Sequence, residues 1–379
     1  MKIRRFYLDR LASLLQPGKV LAVYGPRRAG KTTLLADFLA SWRGGRYFLG
    51  TGEDRAVRDI LQSSDVQLIR SSFSGYELVV IDEAQALADA GTGLKLLVDT
   101  LPEIKVIASG SSSFQLAESI GEPLTGRRRT ITLFPVAALE YAAEFGNMHL
   151  RQKLEELLVY GTYPEILTTE NSRDKAEALR ELCDAYLFRD ILAFERVRNA
   201  DKIRRLLSLL AFQVGKEVSL TELGAGLGLN RLTVERYLDL LEKSFVIFRL
   251  PGFSRNLRSE ITKTSRYCFY DNGILNAVVN NFNPPALRGG NDVGALWENF
   301  IISERRKKQE YGRIFANNYF WRTYERQEID LVEERGGKLY GYEIKYGKCR
   351  TTPPKLWREN YPDAGFEVVS QRNFTDFIL

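Results

Sequence analysis

Short apolar runs and segments of helical spacing alternate through the first third of the chain. Residues 20–24, 46–49, 78–81 and 105–109 are compact, mostly apolar runs, as expected of strands buried on both faces of a parallel sheet. Residues 7–15, 33–40 and 54–74 carry helical spacing between them. This alternation predicts an α/β domain. The pattern then changes. Residues 150–195 are helical, with a break at 160–167. Residues 201–212, 218–228 and 231–242 read as three further helices, followed by a strand at 245–250. The last part mixes strands at 267–271, 319–322, 328–332, 339–345 and 366–370 with helices at 272–279 and 294–304. These shifts divide the chain into segments 1–148, 149–200, 201–262 and 263–379.

One loop in this pattern carries specific chemistry. Gly25-Pro26-Arg27-Arg28-Ala29-Gly30-Lys31-Thr32 matches G-x-x-x-x-G-K-[ST] at every fixed position. A strand precedes it and a helix follows, which is the context a phosphate-binding loop requires. Gly25 and Gly30 let the backbone curl so that N–H groups point at phosphate oxygens, and the helix start adds the positive end of its dipole. Lys31 is expected on the β- and γ-phosphates of ATP and the Thr32 hydroxyl on Mg²⁺, with Thr33 extending the binding set. About fifty residues on, the apolar run at 78–81 ends in Asp82 and Glu83. Asp82 is expected beside the Mg²⁺ held by Thr32, and Glu83 as the general base for the attacking water. Ser109 and Ser111, at the next strand tip, are candidates for sensing the γ-phosphate or holding that water; a helix cap is the alternative for each. Arg127, Arg128 and Arg129 offer a cation to the γ-phosphate, in cis or from a neighbouring subunit, or else form a solvated basic turn. Donation in trans requires self-association, for which a closed ring is one form.

Further on, Ser219 with Glu222 three residues later is a capping box, and the turn at 228–230 before the helix at 231–242 gives helix-turn-helix spacing. The second helix of such a pair enters the DNA major groove, making Asn230, Arg231, Thr233, Arg236 and Tyr237 candidate contacts, with Arg255 and Arg258 after the next strand. Packing between subunits or against the nucleotide site is the alternative role. In the last segment, alternation along a strand puts Glu343 and Lys345 on one face, and a hairpin turning at Gly336-Gly337 brings Asp330 beside them. Two carboxylates there would hold Mg²⁺ while Lys345 orients or deprotonates water, and Glu298 from the helix at 294–304 would complete the cluster.

The strand order, with Asp-Glu on the third strand and polar residues on the fourth, resembles AAA-type ATPases. Gly126-Arg127 followed by Leu133-Phe134-Pro135-Val136-Ala137-Ala138-Leu139-Glu140-Tyr141 is similar to a prokaryotic group of AAA-like ATPases with a winged helix and a C-terminal nuclease-like domain of unassigned function. The resemblance implies an AAA-like P-loop core over 1–148, a helical lid over 149–200, a winged helix over 201–262 and an α/β restriction-endonuclease-like domain over 263–379. It singles out Arg127 among the three arginines. The Asp330…Glu343-x-Lys345 arrangement with Glu298 upstream looks like the restriction-endonuclease-like nucleases. The implied activity is Mg²⁺-dependent ATP hydrolysis coupled to binding or remodelling of DNA, with a C-terminal domain that cuts DNA or only binds it. A signalling switch, a slow ATPase released by a protein partner, is the other reading.

Composition narrows this picture modestly. Lys and Arg number 54 against 48 Asp and Glu, a net charge of +6 that is compatible with a nucleic-acid partner but spread over 379 residues. His149 is the only histidine, which excludes His-based metal sites and Ser-His-Asp chemistry. Cys183, Cys268 and Cys349 have no zinc or disulfide spacing. No apolar run approaches the roughly 18 residues that span a bilayer, and the charged N-terminus has no secretory core, so a cytoplasmic protein without membrane partners is expected.

Overall fold

Five strands set the first part of the molecule: Val20–Tyr24 (β1), Tyr47–Thr51 (β2), Leu78–Asp82 (β3), Lys105–Gly110 (β4) and Arg128–Thr132 (β5). In the computed structural model, which describes residues 2–110, 124–184, 200–255, 264–347 and 351–379, they form one parallel sheet in the order β2-β3-β4-β1-β5. Ser111 and Arg258 lie outside the described residues. Every side chain of β1, and all but the terminal one of β3 and of β4, is buried, which accounts for their apolar sequences. Because β4 lies between β1 and β3, the loop after β1 and the acids ending β3 face each other across one intervening strand. The helix Lys31–Ser41 (α1) starts from Gly30, which takes the left-handed conformation with φ 92°. The polar stretch at 54–74 is two helices, Arg55–Leu61 and Val66–Phe73. Asp54 and Asp65 cap them by accepting backbone N–H groups of the first turn.

The chain divides into two compact units. One is Arg4–Pro135 with Lys243–Phe245; the other is Val136–Glu242 and Val246–Leu379 together with the first residues. In the second unit, Ala200–Phe212 (α2), Leu220–Leu227 (α3) and Arg231–Lys243 (α4) accompany a three-stranded antiparallel sheet. Its strands are Glu217–Val218 (β6), Ile247–Pro251 (β7) and Ser265–Phe269 (β8), in the order β6-β8-β7. Ser219 accepts the Glu222 N–H at the start of α3, and Gly228 ends that helix in the left-handed region. Leu206, Leu210, Val234, Leu238, Leu241 and Phe269 fill the core beneath, which Tyr163 also joins. The strand expected at 267–271 in the C-terminal segment thus pairs with β6 and β7, so the division at residue 263 cuts through this small sheet.

The C-terminal sheet contains Asn317–Arg322 (β9), Glu328–Arg335 (β10), Lys338–Ile344 (β11) and Gly365–Val369 (β12), in the order β12-β11-β10-β9. The β10–β11 turn uses Gly336 and Gly337, both at positive φ, so the hairpin read from the sequence forms. The helix Gly290–Tyr311 (α5) is twice as long as expected and carries Glu298. Among the described residues, no helix is long and apolar enough to cross a membrane.

Candidate active site

The loop at 25–32 rests on the chain leaving β5. Leu133 donates its N–H to the Tyr24 carbonyl at 2.7 Å, and a Cβ on Gly25 (φ 153°) would stand 2.0 Å from the Leu133 carbonyl oxygen. Only glycine fits there. At the other end of the loop the buried Arg5 donates to the Ala29 carbonyl and, at 2.6 Å, to the Phe134 carbonyl. Sequence reasoning passed over Arg5, because nothing local connects it with a loop 24 residues away. In a trans peptide the N–H points opposite to the C=O. By drawing the Ala29 carbonyl outward, Arg5 therefore turns the Gly30 N–H the other way.

Lys31 is 5% exposed, and its Nζ donates to the carbonyls of Gly25 (2.9 Å) and Pro26 (2.8 Å). Burial brings its pKa down from 10.5 to about 8, against the opposing pull of Glu83 and Asp82. Pro26 is buried, whereas Arg27, Arg28 and Thr33 are exposed. The Thr32 hydroxyl donates to Asp82 Oδ2 at 2.6 Å. The other Asp82 oxygen accepts the Ser109 hydroxyl and the Glu83 N–H, the latter at 3.0 Å. A hydroxyl and a carboxylate converging in this way are hard oxygen ligands, and the pair fits Mg²⁺. Ser109 is fully buried and bonded to Asp82, which makes it an orienting group for that acid. Glu83 has φ 47°, and its carboxylate accepts the side-chain amide of Gln85, a second contact that sequence reasoning did not assign.

Of the two alternatives for Arg127, the structure bears on the one in cis. β5 runs parallel to β1 with Arg128 opposite Val20 and Thr132 opposite Tyr24. Arg127 therefore precedes the sheet end farthest from the loop, about 15 Å away at roughly 3.3 Å per residue. It pairs there with Asp99 at 3.0 Å, and contact in cis with a nucleotide on Gly25–Thr32 is beyond its reach.

Of the candidate DNA contacts, Asn230 is the cap of α4, accepting the Thr233 N–H (2.8 Å) and hydroxyl (2.9 Å). Arg231 and Arg236 are exposed, Arg231 with Glu235 at 2.9 Å. Tyr237 corrects the reading. It is 7% exposed and packs in the core on the stripe of Val234, Leu238 and Leu241. Arg255 reaches Glu334 of β10 at 3.0 Å.

The hairpin does bring Asp330, Glu343 and Lys345 together, and α5 adds Glu298. Lys345 Nζ lies 2.7 Å from Glu343 and 3.4 Å from Asp330, whose Oδ2 also accepts the Ile344 N–H at 2.8 Å. Arg266 from β8 enters the same cluster, with Nη1 at 3.3 Å from Glu298 and 3.8 Å from Asp330, and Nη2 at 3.0 Å from Glu328. Arg266, Glu298, Glu328, Asp330 and Lys345 line a cavity of about 920 Å³. Burial pushes the Glu298 carboxyl well up, helped by Asp330 and opposed by Arg266 and Lys345. Burial also raises Glu343, with Asp330 second. For Lys345, burial works downward but Asp330 and Glu343 overcome it and raise the ammonium. The expectation that Glu298, Asp330 and Glu343 hold Mg²⁺ is thereby corrected. Each is engaged by a side-chain cation, and among the described residues no group of three or more acid, histidine or cysteine side chains is arranged to hold a metal.

Comparisons with known proteins bear on these sites. Residues 17–142 match the model of an AAA domain, residues 151–285 a domain of unknown function (DUF8612) and residues 293–369 another (DUF4143). An uncharacterized protein of Mycobacterium tuberculosis is 28% identical over 358 residues, spanning 94% of this chain and 76% of its own. One from Methanocaldococcus jannaschii is 23% identical, spanning 94% and 85%. Among solved structures, the Aeropyrum pernix ORC1 protein in complex with DNA overlaps 74% of this chain and 93% of its own at 17% identity and a TM-score of 0.33. The Pif1 helicase of Candida albicans overlaps 48% of each chain at 17% identity and 0.27. With the AAA match covering the loop, Asp82 and the strand between them, residues 17–142 constitute a P-loop ATPase domain of AAA type.

Proposed function

We propose that this protein hydrolyses ATP with Mg²⁺ and couples the cycle to DNA, held by α3 and α4 as a winged helix with β7 and β8 as its wing. The observation that carries this reading is the 2.6 Å contact between the Thr32 hydroxyl and Asp82, with Glu83 next in the chain. Lys31 and the loop amides take the β- and γ-phosphates, and Thr32 and Asp82 hold the metal. Held at that pair, Mg²⁺ would supply neutralisation of charge on the phosphate oxygens. Ser109 keeps Asp82 oriented, and Glu83, steadied by Gln85, accepts the proton of the attacking water. Arg127 serves a neighbouring copy, which makes the active form self-associated, with a ring as one such form. Asn230, Thr233, Arg231 and Arg236 are the groups offered to DNA. The C-terminal segment, read as a restriction-endonuclease-like domain, grips DNA without cutting it while Arg266 fills its acidic pocket. That clasp also favours a second reading, a regulatory ATPase released by a protein partner.

ATP turnover and DNA binding, measured together on single-stranded, duplex and branched DNA, test the proposal. DNA is expected to change the hydrolysis rate, and Glu83→Gln to retain both ATP and DNA. If no form of DNA alters either quantity, the DNA reading is lost; near-zero turnover with tightly retained ADP then supports the regulatory one.

A further inference from the structure

Arg266 belongs to β8, yet its guanidinium sits among acids of β10 and α5. Its backbone pairs with Glu217, and its side chain lies 4.6 Å over the Phe320 ring. At 3% exposure its Nε has no hydrogen-bond partner among the described residues. An arginine kept only for stability would satisfy that buried N–H. The contacts of Arg266 are instead concentrated on its two terminal nitrogens, which face three carboxylates. The backbone closes on the same acids: Gly215, at φ 75°, approaches so near that a Cβ would meet the Glu298 oxygens at 3.2 Å.

We propose that Arg266 stands in the place of a divalent cation and excludes one, so that the pocket of Glu298, Glu328 and Asp330 takes either this guanidinium or a metal ion but not both. The proposal rests on reading these acids as a nuclease-like cluster. Access is not the obstacle, because the cavity is about 920 Å³. The obstacle is charge. A dication bound to the Glu298 and Asp330 oxygens would stand within roughly 4 Å of a fixed guanidinium, which with Lys345 already offsets the charge of those two acids. Removing Arg266 leaves Glu298 and Asp330 buried with Lys345 as the cation bonded to Asp330 among the described residues, and such a cluster either takes up protons or recruits a cation. The acids of β10 and α5 are thus held in a non-metal form by a residue of the small sheet β6-β8-β7.

The test is equilibrium dialysis of Mn²⁺ against the nucleotide-free full chain, with melting temperature followed in parallel. Arg266→Met is expected to bind about one Mn²⁺ more than wild type. Its melting temperature should rise by roughly 5 °C at about 100 times the Kd, while wild type does not respond. Adding Asp330→Asn should abolish the gain. Where Arg266→Met does not fold, Arg266→Gln removes the charge while keeping a polar side chain at the same place and is expected to show binding of the same kind. Wild type binding Mn²⁺ as well as the folded variant, or neither variant binding any, overturns the proposal. Plasmid nicking separates the two layers: Mn²⁺ binding without nicking removes the nuclease reading and leaves the exclusion standing.

Discussion

Nucleotide binding should draw a proton onto Lys31. In the loop its pKa is about 8, so about half of the side chain is neutral at pH 8 and about nine-tenths at pH 9. Phosphate oxygens within hydrogen-bonding distance favour the ammonium and return it to its ordinary range. ATP should therefore take up about half a proton per site at pH 8, and its association constant should fall roughly eightfold between pH 7.5 and 9. Titration calorimetry at pH 8 in buffers of different ionisation enthalpy gives the proton count from the slope. A slope of zero, or an affinity flat across that range, refutes the account of Lys31. Without nucleotide the slope of stability with pH has the same sign as for a carboxylate whose pKa folding lowers, and the opposite of a lysine whose pKa an ion pair raises. The unfolded chain binds more protons between pH 8 and 10.5, so stability from this group rises with pH across that window. Below pH 8 the full cost of holding it charged, roughly 3 kcal/mol, is present.

Other residues give separable outcomes. Arg5→Ala should raise the Kd for ATP roughly tenfold while turnover at saturating ATP stays within about twofold, and Arg5→Lys should restore part of the affinity; KM and kcat distinguish these. Ser109→Ala should raise the Mg²⁺ concentration for half-maximal turnover roughly tenfold with little change in ATP affinity, since it frees Asp82 to reorient. Tyr237→Ala should cost roughly 3 kcal/mol in a urea melt. Arg236→Ala should leave the melt nearly unchanged and lower the salt dependence of DNA binding by about one counterion.

The nucleotide loop was legible because its fixed residues are contiguous, and so was the Asp82-Glu83 tip, because a buried strand ending in two acids has few other uses. The hairpin holding Asp330 and Glu343 followed from alternation and a Gly-Gly turn. What escaped are contacts between residues far apart in the chain. Arg5 bonds to Phe134, 129 positions away, and Arg266 reaches Glu328, 62 away, so no local window contains both partners. Whether Arg127 could act in cis was not legible, because its motif says which residue it is and not which end of β5 it occupies. Tyr237 was misread because an aromatic residue with a polar tip fits a groove-facing helix and a core equally well. Only its place on the Val234–Leu241 stripe decides between them.

The central claim is hydrolysis at a site built from Lys31, Thr32, Asp82 and Glu83, and single-turnover hydrolysis of Mg·ATP by wild type and Glu83→Gln tests it most directly. The account predicts that both bind Mg·ATP with similar Kd and that the variant hydrolyses it at least about 100-fold more slowly. A variant that turns over ATP at the wild-type rate would contradict it.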